Sequence, residues 1–253
     1  MLLPIGDEPN DPKRIAWMNY ALIGVNILVF LLMLLRSGNE QQYAELYLRW
    51  AYIPADGRIE TIFTSMFMHG GWMHLLGNML FLWIFGDNVE ARLGPFGYLV
   101  SYVALGVFAT LVFSASVPGS TMPLIGASGA ISGVQGLYWI ACPQHKVKLF
   151  VWLFVIFVWV LRINARWVMA FWFFMNDMLP VIVGRGPTGD KVAHLAHLAG
   201  FAGGLVLMLV LRPLLPSVQD AEHAELGRST RYSGGHVKKY ERKRRGDPYG
   251  PRP

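Results

Sequence analysis

The sequence predicts an all-α, polytopic membrane protein, and three observations carry that prediction. Of the 253 residues 54% are hydrophobic and only 15% are charged. Mean hydropathy is positive, and a soluble domain of this length rarely tolerates that combination. Apolar stretches of about 20 residues, enough to cross roughly 30 Å of hydrocarbon, recur from Tyr20 to Leu215. The expected architecture is a bundle of six transmembrane helices over 15–212, after a cytoplasmic segment, 1–14, and before a basic, disordered cytoplasmic tail, 213–253.

Residues 1–14 carry Pro4, Asp7, Glu8, Pro9, Asp11 and Pro12, the wrong chemistry for the basic start of a cleaved signal peptide. The first hydrophobic segment is therefore expected to be retained. Helix 1 reads over 15–35, and Lys13 and Arg14 before it favour a cytoplasmic start. A mixed-charge stretch, 36–61, follows as a structured loop in which Tyr52, Ile53 and Pro54 are expected on the membrane surface. Helix 2 covers 71–93 and stops at Gly94-Pro95; helix 3 covers 96–113. A Pro/Gly-rich break precedes helix 4, 126–142, which is short for a span, so its start is expected below the membrane surface.

Residues 147–161 and 167–183 are both apolar but are separated by Arg162, Asn164 and Arg166. The first stretch is expected to lie on the cytoplasmic surface or re-enter it without crossing, since a crossing would put both arginines outside. The second is helix 5. A Gly/Pro turn, 184–189, leads to helix 6, 191–211.

Charge and cysteine usage exclude several functions. The net charge of +6 comes from the tail, with Arg228, Arg231, Lys238, Lys239, Arg242, Lys243, Arg244 and Arg245. Such a run beyond a last membrane helix reads as a topology signal or a contact to anionic lipid headgroups, and no nucleic-acid partner is expected. Cys142 is the single cysteine, which rules out an intrachain disulfide and a cysteine-based zinc cluster.

Polar residues inside apolar helices are costly, and each such cluster is a functional candidate. His69, His74 and Asn78 mark helix 2. Gly126-Ala127-Ser128-Gly129 opens helix 4, and His194 and His197 mark helix 6. Alone, the serine tetrapeptide reads more readily as a small-residue packing face from Gly129 to Gly133. Helix 6 changes the balance, because His197, Gly200 and Gly204 share one face. Two glycine-lined helices can approach closely enough for a histidine to reach a serine hydroxyl. His74 and Asn78, at i and i+4, share a face as donors for an oxyanion, and the Ser128 amide adds a third.

A metal site is not expected, because no His-Glu-x-x-His run and no complete zinc ligand set is present. His194 is expected behind the base or at the mouth of the site. No carboxylate is expected as a third member, and Asp177 is expected near a membrane face.

His-x-x-x-Asn on the second helix, Gly-x-Ser-Gly on the fourth and Ala-His-x-x-Gly-x-x-x-Gly on the sixth together resemble the rhomboid proteases. The turn Glu90-Ala91-Arg92-Leu93-Gly94 is similar to that family's Glu-x-Arg-x-Gly. The resemblance covers roughly residues 15–212. It implies Ser128 as nucleophile, His197 as general base and His74 with Asn78 as oxyanion donors, with no cofactor. Gly126, Gly129, Gly200 and Gly204 would be structural. It further implies transmembrane proteins as substrates and residence in the cell membrane. The chain departs from the family in lacking a Trp-Arg pair in the first loop and in having Ser132 four residues after the serine, where an aromatic residue is common. The alternatives are a catalytically inactive rhomboid-like protein that binds membrane helices, and a transporter, which the absence of charged pairs in the helices disfavours. Natural substrate and oligomeric state are not legible.

Overall fold

A computed structural model describes residues 2–8, 15–153, 157–179 and 190–215. The chain divides into two units, residues 1–213 and 214–253, and all elements discussed below belong to the first. Most of the fold is helical: α1 (Trp17–Arg36), α2 (Glu40–Trp50), α3 (Ile59–Thr64), α4 (Trp72–Ser116), α5 (Ser128–Ala141), α6 (Ala165–Phe173) and α7 (Asp190–Leu211).

α1 buries Asn19, Leu22, Asn26, Phe30 and Met33, a stripe at helical spacing. Its other faces expose Val25, Leu28, Leu31, Leu32 and Leu35. Apolar residues on both sides of a helix are stable only where the outer solvent is lipid. Among the described residues three helices are long and apolar enough to cross a membrane: Trp17–Arg36, Trp72–Ser116 and His194–Leu214. The chain is an integral membrane protein.

α4 runs through the expected junction of helices 2 and 3, with a kink at Gly94, φ +73°, followed by Pro95. Glycine tolerates that left-handed turn and proline cannot continue the hydrogen-bond ladder, so the pair divides α4 into two rods. Just before the kink, Glu90, 4% exposed, reaches the start of α1. Its Oε1 accepts from the Met18 amide at 3.2 Å and its Oε2 from the Asn19 amide at 2.8 Å. These amides have no partner within the helix, and a carboxylate there also complements the helix dipole. Asn19 donates to the Leu82 carbonyl at 3.1 Å and accepts from the Tyr98 hydroxyl at 2.8 Å. A Cβ at Gly86 would strike both Asn19 and Tyr98, so the glycine makes room for this buried cluster.

The first loop folds into α2 and α3 and is anchored inward. Tyr52 is only 4% exposed. It exchanges two backbone bonds with Leu124, at 3.0 and 2.7 Å, and its hydroxyl donates to Ser114 Oγ at 2.7 Å. Its ring packs with Ala109, Phe113 and Ala196. The expected surface location is therefore corrected for Tyr52: burying the ring while pairing its hydroxyl and backbone outweighs an interfacial position.

The all-α expectation fails at two places. Residues Leu2–Glu8 form β1, Lys146–Leu153 form β2 and Phe157–Asn164 form β3, in an antiparallel sheet of order β1-β2-β3. Leu3 pairs with Phe150, and Lys148 with Arg162. The stretch 147–161 thus doubles back on itself. Its run of β-branched and aromatic residues suits a pleated surface, and two short apolar segments cannot be told from helix by periodicity alone. Asp7 fastens β1 to the bundle: its Oδ2 accepts from the Tyr138 hydroxyl at 2.5 Å and from Asn88 Nδ2 at 2.9 Å. Arg166 donates from Nε and Nη2 to the Trp139 carbonyl at the end of α5, both at 3.0 Å. The expected turn at 184–189 and the tail beyond Leu215 lie outside the described residues.

Replacing Glu90 with alanine leaves two amides of α1 unpaired, which costs about 1–3 kcal/mol. Thermal unfolding of the purified Glu90→Ala protein in detergent should show a midpoint several degrees below wild type. An unchanged midpoint would remove Glu90 from the fold's main supports.

Candidate active site

Ser128 is the first residue of α5. The approach to it is fixed by Gly126, whose φ of +113° suits glycine and whose amide donates to the Ser65 carbonyl at 2.9 Å. A Cβ at Gly126 would lie 2.8 Å from His74 Nε2 and 3.6 Å from Ser128 Oγ. The glycine therefore leaves the space through which the His74 ring nears the serine.

Further along α5, Gly136 faces α7, while Cβ atoms at Gly129 and Gly133 would meet Ala109 and Leu105 of α4 and leave the carbonyls of these two glycines against α7. A Cβ on Gly200 would collide with the Gly129 carbonyl oxygen, one on Gly204 with that of Gly133, and one on Gly136 with that of Phe201. The two backbones are thus in direct contact, as small residues permit in membrane helices. One turn before Gly200, His197 places Nε2 2.7 Å from Ser128 Oγ, within reach for proton transfer. Of the four glycines singled out in the sequence, Gly129, Gly200 and Gly204 sit at this junction, and Gly126 lies beside His74 and Ser128.

A cavity of about 230 Å³ opens beside the pair, and Asn78, Gln135, Trp172, Asp177 and His194 contribute to its lining along with Ser128 and His197. Asn78 is 8% exposed, and among the described residues no group bonds its Nδ2. A buried donor without a partner is costly, and this one belongs to the wall of a cavity that also holds the serine. His74 lies at Gly126 rather than in that wall. Its Nδ1 accepts from the Gly70 amide at 3.4 Å, which leaves Nε2 as the donor on the Gly126 side.

Asp177 is the residue that sequence reasoning misplaced. It lies in a π-helical turn, Phe174–Met178, that continues α6. Its side chain is 12% exposed, and Oδ1 stands 2.6 Å from His197 Nδ1 and 3.2 Å from His194 Nδ1. The expectation that no carboxylate is placed as a third member is corrected: Asp177 stands against His197. The signal was available, since an acid inside an apolar stretch is as costly as the histidines that were noticed. What the sequence lacked was the rotation of its helix. The same three side chains bring ligand-type atoms within 4.8 Å of one another.

The model of the Rhomboid domain matches residues 56–214. The chain belongs to the rhomboid family. Among related proteins, this rhomboid is 44% identical to rhomboid-like protein 11, chloroplastic, of Arabidopsis thaliana over 71 residues, 28% of this chain and 25% of that protein. It is 32% identical to rhomboid protein 1, mitochondrial, of Saccharomyces cerevisiae over 145 residues, 55% of this chain and 40% of the other. Rhomboid protease GluP of Bacillus subtilis is 32% identical over 133 residues, 51% of this chain and 26% of that protein. The matches thus span between a quarter and two fifths of these relatives' lengths.

Before α4, this rhomboid buries His69, 2% exposed, with its ring edge-on to His74 at 5.1 Å. Burial first and the nearby His74 second push the His69 imidazole down from 6.5 to about 4. The unfolded chain therefore takes up the proton first as pH falls. Stability is intact above about 6.5 and is lost progressively down to about 4, by up to roughly 3 kcal/mol. A His69→Phe protein should lose less of its melting midpoint than wild type between pH 6.5 and 4. Parallel pH curves would show that His69 is not the group responsible.

Proposed function

We propose that this rhomboid is an intramembrane serine endopeptidase that cleaves a peptide bond in or near the transmembrane segment of other membrane proteins. The observation that carries the reading is the 2.7 Å approach of His197 Nε2 to Ser128 Oγ at the edge of a cavity that also holds an unpaired Asn78 amide. The name of the Bacillus subtilis relative, a rhomboid protease, points the same way.

In this mechanism Ser128 Oγ attacks the scissile carbonyl while its proton passes to His197 Nε2. The oxyanion is met by Asn78 Nδ2, His74 Nε2 and the Ser128 amide at the start of α5. His197 then returns the proton to the leaving amine, and a water activated by the same imidazole releases the acyl group from Ser128. An intact helix hides its carbonyls in internal hydrogen bonds, so a substrate segment of weak helix propensity opens more easily. By the family resemblance, the substrate is a single-pass protein with a small residue at the cleavage point.

The path through the bilayer in this reading has six crossings, with α4 contributing two. β1 precedes α1 and pairs with β2, which follows α5, so both lie on one side and an even number of crossings separates them. Four fit: α1, the two rods of α4, and α5. α6 with its π turn and α7 supply two more and return the chain to the starting side. Lys146, Lys148, Arg162 and Arg166 mark that side as cytoplasmic, in the cell membrane.

The competing reading is an inactive rhomboid-like protein that binds membrane helices, and turnover separates the two. Ser128→Ala and His197→Ala should each lower cleavage of a model transmembrane substrate by more than about a hundredfold without lowering the melting midpoint. Asn78→Ala and His74→Ala should slow it by about 10²- to 10³-fold at most. Activity within tenfold of wild type in either of the first two would reject its role. A second observation, the clustering of Asp177, His194 and His197, raises a metal reading. Loss of activity to a chelator with recovery on adding zinc would replace the proposed mechanism with that one.

A further inference from the structure

Asp177 and His194 have no part in the mechanism above, although Asp177 contacts its base and His194 contacts Asp177. We infer that Asp177 is a positioning residue that holds His197 in the tautomer able to take the proton of Ser128, and that His194 in turn holds Asp177. The inference rests on the serine-protease reading and adds a third and a fourth member to it.

A neutral imidazole carries one proton, on one nitrogen or the other. At His197 the two nitrogens face different groups: Nδ1 meets Asp177 Oδ1 at 2.6 Å and Nε2 meets Ser128 Oγ at 2.7 Å. A carboxylate accepts only, so the proton sits on Nδ1 and Nε2 presents its lone pair to the hydroxyl. With the carboxylate gone, the other tautomer would aim an N–H at the serine and be unable to accept from it. During attack the Ser128 O–H bond breaks and an Nε2–H bond forms. The positive charge so created on His197 lies against the Asp177 side chain.

Two further features indicate that this carboxylate is deliberately aimed. His194 and His197 are one turn apart on α7 and so face the same way, and His194 Nδ1 donates to the same Oδ1 at 3.2 Å. This second bond limits rotation of the acid. Asp177 also lies in the π-helical turn Phe174–Met178, where the helix widens and redirects its side chains. An acid at this depth, 12% exposed, costs free energy unless it is matched by such partners.

The test uses the purified full chain and a model transmembrane substrate. Asp177→Asn keeps the shape and loses the charge. It should lower kcat by about 10²- to 10⁴-fold with KM within about threefold of wild type. Asp177→Glu should recover at least about tenfold over Asp177→Asn, and His194→Ala should cost no more than about tenfold. Nitrogen-15 NMR of labelled histidine should show His197 with its proton on Nδ1 in the wild type and on Nε2 in Asp177→Asn. Asp177→Ser, read by the same spectra, guards against a failure to fold peculiar to the asparagine. A kcat within about threefold of wild type in Asp177→Asn, a change confined to KM, or an unchanged His197 tautomer would each overturn the inference. If Ser128→Ala and His197→Ala are inactive while Asp177→Asn turns over normally, only the role of Asp177 falls. If those two variants remain active, the protease reading itself has failed.

Discussion

The backbone contact between α5 and α7 sets the distance on which the site depends. Helices carrying leucine at the crossing stand about 8–10 Å apart, and a histidine on one would not meet the first residue of the other in a defined geometry. Here the carbonyls of Gly129 and Gly133 occupy the places where side chains at Gly200 and Gly204 would be. With no room to slide, His197 and Ser128 are held at 2.7 Å. In lipid, close packing of this kind replaces the hydrophobic drive that would press soluble helices together.

A second constraint acts at the ends of the rods: buried polar groups must find partners within the protein. Glu90 closes the start of α1, Arg166 bonds the end of α5, and Asp7 ties β1 to Tyr138. Tyr52 closes the opposite loop by pairing with Leu124 and Ser114. These contacts join segments far apart in sequence, which leaves the serine, the histidines and Asn78 on a rigid frame. Within that frame Asn78 Nδ2 is left without a partner among the described residues. A vacant donor at the cavity is what a site awaiting a developing negative charge would hold ready.

Much of this was legible in the sequence because it is written in residues with few alternatives. Glycines repeated at i+3 and i+7 from a histidine, a serine between glycines, and His74 with Asn78 at i+4 each have a geometric meaning that does not depend on neighbours. The Gly94-Pro95 pair likewise marked the division of α4. The sheet was not legible: apart from Lys146, Lys148, Arg162 and Asn164 every residue of β2 and β3 is apolar, and β1 belongs to a segment whose prolines and acids read as loop. Its pairing with β2 joins residues over a hundred positions apart, and local pattern carries no information about such contacts. Asp177 was visible as a polar interruption, but its direction depends on a π turn that periodicity does not foresee.

The central claim is that Ser128 is a nucleophile activated by His197, and covalent capture tests it most directly. The purified protein would be treated with a fluorophosphonate, digested, and the modified residue located by mass spectrometry. The account predicts one adduct, on Ser128, formed by the wild type and lost in His197→Ala. No adduct, an adduct at another serine, or equal labelling of the His197→Ala protein would contradict it.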